Sequence, residues 1–271
     1  MNRYRATALF PLAWGAAFLL GTAWLQGGEA YPVFVRVEME LAKALALGGA
    51  VAAALAFERG EYLRRAWLLI AGCMALLLLR DATLLPFLGL DAMGEQRLAA
   101  LRGLLVVGAN LSQIAGTWML ARAWKRAALA LPVSRLSQAL LVAAVVAAAL
   151  AVTGPGMVRN ASRVGQGDVA ALTGLASAMG DAVSLFLIAP LLLTALALRG
   201  GLFGWPYSLL TTSYVAWLLY DATIAVGPAA GLDAAGTRTA SELFRALGCL
   251  FGFSAGLAQR FVVQQLRRRA S

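Results

Sequence analysis

The sequence predicts an all-α, polytopic membrane bundle of about eight transmembrane helices, arranged as two parallel four-helix repeats. Three observations predict it: a composition too apolar for a soluble domain, apolar runs long enough to cross a bilayer, and a charged motif that recurs along the chain. Of 271 residues, 61% are hydrophobic and only 13% are charged, whereas a soluble domain carries about 25% charged residues. A run of about 20 apolar residues crosses the hydrocarbon core as a helix. Such runs cover residues 6–26, 38–57, 65–88, 99–121, 136–154, 180–198, 205–227 and 243–264.

The first run follows Arg3 and Arg5 and precedes Gly28-Glu29-Ala30, which together imitate a secretory signal. It exceeds the roughly 7–15 apolar residues of a signal core, so it reads as a retained span. The second carries Glu40 and Lys43 in its first turns, and the third carries Arg80 and Asp81 in its last part. The fourth holds Arg102 near its start, a small-residue row at Gly108, Ser112 and Gly116, and the polar residues Asn110, Gln113 and Thr117. The fifth ends where Pro155 opens a longer connecting segment, 155–179, with Arg159, Arg163 and the short glycosylation-like pattern Asn160-Ala161-Ser162. That segment either extends the sixth span or lies on the surface. The seventh carries Thr211, Thr212, Ser213 and Asp221, and the eighth carries Arg245 and the row Gly248, Gly252 and Gly256. No span reads as a broken helix.

Charge orients these spans. On one side fall Arg3, Arg5, Arg59, Arg64, Arg65, Arg122, Lys125, Arg126, Arg135, Arg199, Arg260, Arg267, Arg268 and Arg269, against only Glu58 and Glu61. Basic residues accumulate on the cytoplasmic side of a membrane protein. Both termini are therefore expected in the cytoplasm, in a cytoplasmic (inner) membrane. Trp67, Trp124, Trp205 and Tyr207 fall at the same ends, as an aromatic belt would. The net charge of +10 would point to nucleic acid in a soluble protein; here the loop asymmetry accounts for it.

An internal repeat sets the organisation. Leu78-Leu79-Arg80-Asp81-Ala82-Thr83 recurs as Leu218-Leu219-Tyr220-Asp221-Ala222-Thr223. The same offset aligns Arg59-Gly60 with Arg199-Gly200 and Leu69 with Leu209. Gly89-Leu90-Asp91-Ala92 recurs as Gly231-Leu232-Asp233-Ala234, Arg102 aligns with Arg245, and Lys125-Arg126-Ala127 with Arg268-Arg269-Ala270. Residues 1–130 and 131–271 are the two units. Four spans each means both insert with one orientation, so an axis along the membrane normal relates them. The small-residue rows of spans four and eight are expected to let backbones approach closely at that axis.

The chemistry is sparser. The chain has no histidine, which removes imidazole metal ligands and bases. Cys73 and Cys249 fall in separate apolar runs and read as packing residues. No cofactor is implied, and no catalytic or metal-binding set stands out. The candidate charged site is Asp81, Arg102, Arg80, Lys43, Asp221 and Arg245, with Asn110 and Gln113 as a polar lining. An ionisable group within a span is a functional-site hypothesis that requires a named partner. Adjacent antiparallel spans give the expected pairs Asp81–Arg102 and Asp221–Arg245, with Lys43 and Arg80 competing for Asp81. Lys43 and Arg80 correspond to Val183 and Tyr220, so a site is expected in the first unit. Two functions follow. One is non-enzymatic binding or movement of a small solute or ion. The other is a sensor or assembly subunit whose Asp–Arg pairs are structural, acting through a protein partner or a second copy.

Overall fold

The computed structural model describes residues 2–84, 94–123, 133–168 and 170–270. They form helices α1 (Asn2–Leu25), α2 (Ala30–Leu55), α3 (Tyr62–Ala82), α4 (Glu95–Ala121), α5 (Arg135–Gly165), α6 (Ala170–Phe186), α7 (Ile188–Ala197), α8 (Gly204–Val226) and α9 (Ala234–Ala270). No strand occurs among the described residues. Trp124, Lys125, Arg126 and the segment Gly89-Leu90-Asp91-Ala92 lie outside them.

Seven helical stretches are long and apolar enough to cross a membrane: α1, α3, α4, α5, α6 with α7, α8 and α9. By that measure the chain is a multi-pass membrane protein. The exception is α2, which carries Arg36, Glu38, Glu40 and Lys43 between its second turn and its middle.

Two helix boundaries differ from expectation for identifiable reasons. Helix α5 runs through Pro155 to Gly165, and α6 begins at Ala170. The connecting segment is therefore mostly helix around a tight turn at Gly167, whose φ is 88°, a left-handed value that glycine adopts without a Cβ clash. The sixth span is broken, contrary to the sequence reading: α6 ends at Phe186 and α7 starts at Ile188. Pro190 explains it, because its ring collides with the carbonyl four residues back, that of Phe186, and it offers no N–H. Leu187 bonds instead to Ser184 O at 3.2 Å.

Six positions form a closed ring. Helix α2 packs on α3, α3 on α4, α4 on α6, α7 on α8, α8 on α9, and α9 back on α2. Helix α1 lies on α9 and α2, and α5 lies chiefly on α6. Spans four and eight, α4 and α9, do not pack on each other as expected; each spends its glycines on ring neighbours. A Cβ at Gly116 would meet Ala66 O of α3 at 2.8 Å, and one at Gly248 would meet Trp217 Nε1 of α8 at 2.8 Å. A Cβ at Gly256 would collide with the Gly49 backbone of α2. Gly108 faces Leu76 at 3.4 Å and Gly252 faces Ser213 at 3.5 Å, so these two have room.

Both termini sit at one end of the ring. Tyr4 donates to Gln265 at 3.0 Å and packs on Phe261 and Trp205, and Arg267 reaches Glu58 at 4.0 Å. That half of the ring is filled by the larger apolar cluster, including Trp67, Leu120, Leu191, Tyr207, Leu210 and Val262. Trp67 and Tyr207 are buried there and do not form an exposed belt.

Candidate functional site

The ring encloses a cavity of about 260 Å³ in its middle and in the half away from the termini. All six ring positions line it. Helix α4 contributes Val106, Asn110 and Gln113, three to four residues apart and so on one face. Helix α6 contributes Ser177, Asp181 and Ser184 in the same way, and α8 contributes Tyr214, Trp217, Tyr220 and Asp221. Lys43 comes from α2, Cys73 and Arg80 from α3, and Arg245 from α9.

Local contacts fix these side chains. Gly180 leaves no room for a Cβ against Asn110, so α4 and α6 meet there with Asp181 one residue away. The Asn110 amide donates to Ser177 O at 3.3 Å, and Ser177 and Asn110 lie against the Asp181 carboxylate. Tyr214 closes the floor. Its hydroxyl is bonded to Gln113 and Thr117 of α4, tying α8 to α4 across the ring. Cys73 and Cys249 are free, buried thiols.

The expected Asp81–Arg102 pair is not formed. Asp81 is bonded to Lys43 and to Arg80, whose Nε lies at 2.7 Å, and Lys43 also donates to Glu40 at 2.6 Å. Arg102 instead donates to the Thr83 hydroxyl and carbonyl, both at 2.9 Å. The physical reason is the end of α3: its last carbonyls lack helical partners, and Arg102 supplies donors there. The carboxylate is already held by the two nearer cations. The expected Asp221–Arg245 pair is also absent. Arg245 reaches Glu242 at 2.5 Å, lies 3.3 Å from Met39 sulfur, and sits over the Tyr220 ring at 6.0 Å.

A second cavity of about 520 Å³ lies between α2, α3 and α9. Glu40, Asp81 and Glu242 line it, together with Arg36 and Arg238. Lys43, Arg80 and Arg245 line both cavities, so an ion-paired cluster partitions them.

Of the residues singled out in the sequence, Lys43, Arg80, Asn110, Gln113, Asp221 and Arg245 share the ring cavity, and Asp81 faces the second one. Arg102 lines neither. Sequence reasoning missed Asp181, Tyr214 and Trp217. A signal for Asp181 existed: residues 170–179 carry no charge and continue the apolar run outward, which carries Asp181 deep into the helix. Comparison with protein-family models, curated proteins and solved structures gives no match. The reading of the site therefore rests on its own geometry.

Proposed function

We propose that this chain is an eight-span protein of the cytoplasmic membrane that binds a small polar solute in the ring cavity. The carrying observation is the cavity itself, lined by charged and amide side chains from every ring position. Its volume equals roughly nine waters at about 30 Å³ each, a little below the pockets of about 300–1,000 Å³ that hold drug-sized ligands. The solute is therefore small.

In this reading α2 is the eighth span, with Arg36, Glu40 and Lys43 turned to the cavities and Glu38 accepting from Trp14 of α1. The basic turns gather at the end that carries both termini, so that end faces the cytoplasm and the cavity exchanges solute with the exterior. The helix contacts support two equivalent units. The contact of α2 with α9 corresponds to that of α6 with α4, and α3 with α4 to α8 with α9. Gly60 and Gly200, equivalent in the repeat, both take positive φ, 94° and 86°.

Movement of the solute is supported by the broken sixth span and by what lies below the floor. Trp67 Nε1, Tyr207 Oη, Ser254 Oγ and Gln259 Nε2 are buried polar atoms without a hydrogen-bond partner among the described residues, and such atoms call for an explanation. The apolar packing around them favours a second reading, a solute sensor that never opens to the cytoplasm.

Cysteine accessibility tests the proposal. In a Cys73→Ala, Cys249→Ala background, Val106→Cys is expected to react in intact cells with membrane-impermeant thiol reagents. Ala255→Cys, from the filled half, should stay unreactive, and Glu61→Cys should react only after permeabilisation. An unreactive Val106→Cys in a protein that elutes as a folded, monodisperse species would refute the cavity reading. Labelling of Glu61→Cys in intact cells would reverse the orientation.

A further inference from the structure

We infer that the ring cavity selects a small organic ammonium, held between Asp181 and Asp221; this rests on the solute-binding reading above and names the ligand class.

The argument begins with the charges. The three cations at the cavity each have a carboxylate of their own. Lys43 has Glu40 and Asp81, Arg80 has Asp81, and Arg245 has Glu242. Those three carboxylates line the second cavity and not the ring cavity. The cationic wall is thus neutralised from behind. The ring cavity's own carboxylates, Asp181 and Asp221, have no ion pair among the described residues. They come from different helices, α6 and α8, and line the same cavity. Removing two like charges from water without a counter-ion is unfavourable, and a cation placed between them offsets much of that cost.

Neighbouring groups specify what kind of cation. A primary ammonium brings three donors on one centre, enough to serve both carboxylates at once. Trp217 and Tyr220 meet edge to face at 5.7 Å on the same wall, and aromatic faces attract organic cations. A divalent metal ion fits less well. It takes six or more oxygen ligands, and no group of three acidic, cysteine or histidine side chains is gathered among the described residues. An anion would meet cations already satisfied and two carboxylates that repel it.

Charge-selective labelling tests this in the full-length protein. Val106→Cys in the cysteine-free background is treated in parallel with trimethylammonioethyl and sulfonatoethyl methanethiosulfonate, with rates normalised to a small free thiol. The cationic reagent is expected to react about tenfold or more faster, the lower range for a charged, low-dielectric cleft. The Asp181→Asn, Asp221→Asn double variant should lose that preference, and Ser184→Cys should repeat both results from another wall. Ethylammonium chloride should slow labelling more than sodium chloride of equal ionic strength. Equal normalised rates for the two reagents, a preference that survives the double variant, or stronger protection by glycine or acetate than by ethylammonium would each overturn the inference. Those outcomes leave the solute-binding reading standing, because the cysteine has reacted. Failure of both reagents to react at either cysteine instead removes that reading and this inference together.

Discussion

Asp81 and Asp221 stand in the same frame, Leu-Leu-Xaa-Asp-Ala-Thr, yet their surroundings differ. The Asp81 side chain is only 8% exposed and is held by Lys43 and Arg80. Asp221 is half-buried, faces the ring cavity and has no ion pair among the described residues. The residue before each aspartate accounts for part of this, since Arg80 is replaced by Tyr220. The helix alongside accounts for the rest. Helix α2 presents Lys43 to α3, whereas the repeat-equivalent Val183 of α6 is largely exposed. The first copy is a closed ion-pair cluster and the second is an open carboxylate wall. A duplicated motif can thus supply a strut in one copy and a binding group in the other.

The largest test of this contrast is removal of each carboxylate. Asp81→Ala leaves the buried Lys43 with Glu40 alone and the half-buried Arg80 without its carboxylate, and stability should fall by about 3 kcal/mol, the lower end for a broken buried pair. Asp221→Ala should stay within about 0.5 kcal/mol of the parent protein or exceed it, since no pair is broken. Reversible unfolding in mixed micelles, followed by tryptophan fluorescence, compares them. Equal losses would dissolve the distinction between strut and binding group.

A second contrast lies within the glycine row of α9. Gly256→Ala drives a methyl into the Gly49 backbone, and overpacking of this kind costs about 1–3 kcal/mol. Gly252→Ala meets only Ser213 Oγ at 3.5 Å and should be neutral, or slightly stabilising through the helix propensity of alanine. The same unfolding measurement reads both. If both are tolerated, the α2–α9 crossing is not the close contact described.

The smallest effect returns to the repeated frame. Thr83 is buried and accepts from Arg102, while Thr223 is half-buried and merely bonds back to Leu219 O at 2.7 Å. Thr83→Val should lower stability by about 1 kcal/mol, the net worth of one hydrogen bond, and Thr223→Val should change little. Comparable losses at both positions would mean that the Arg102 bond contributes nothing of its own.

Much of the fold was legible in advance because its signals are local. Each expected apolar run coincides with helix to within about two residues at its ends among the described residues, apart from the break at Leu187. The residues that line the ring cavity were only partly legible. Lys43, Arg80, Asn110, Gln113, Asp221 and Arg245 stood out as polar groups in apolar runs. Asp181 did not, because it stands at the very start of its run, where a charge reads as part of the preceding loop. Tyr214 and Trp217 resemble any other aromatic residue in a span. The break at Leu187 could have been read from Pro190, although Pro11 and Pro155 lie inside unbroken helices, so proline alone does not mark a break.

By itself the sequence determined where long apolar helices form and which turns carry the basic charge, since transfer of a segment from water depends on a sum over neighbouring residues. Only the tertiary structure decided which charge meets which. That choice depends on the rotation of each helix about its axis and on which helices become neighbours. The tie of Arg102 to Thr83, of Lys43 to Asp81 and of Arg245 to Glu242, and the absence of an ion pair at Asp221 among the described residues, follow from that geometry. Pairing energies fall off over a few ångströms, and spacing along the chain does not determine distances between helices.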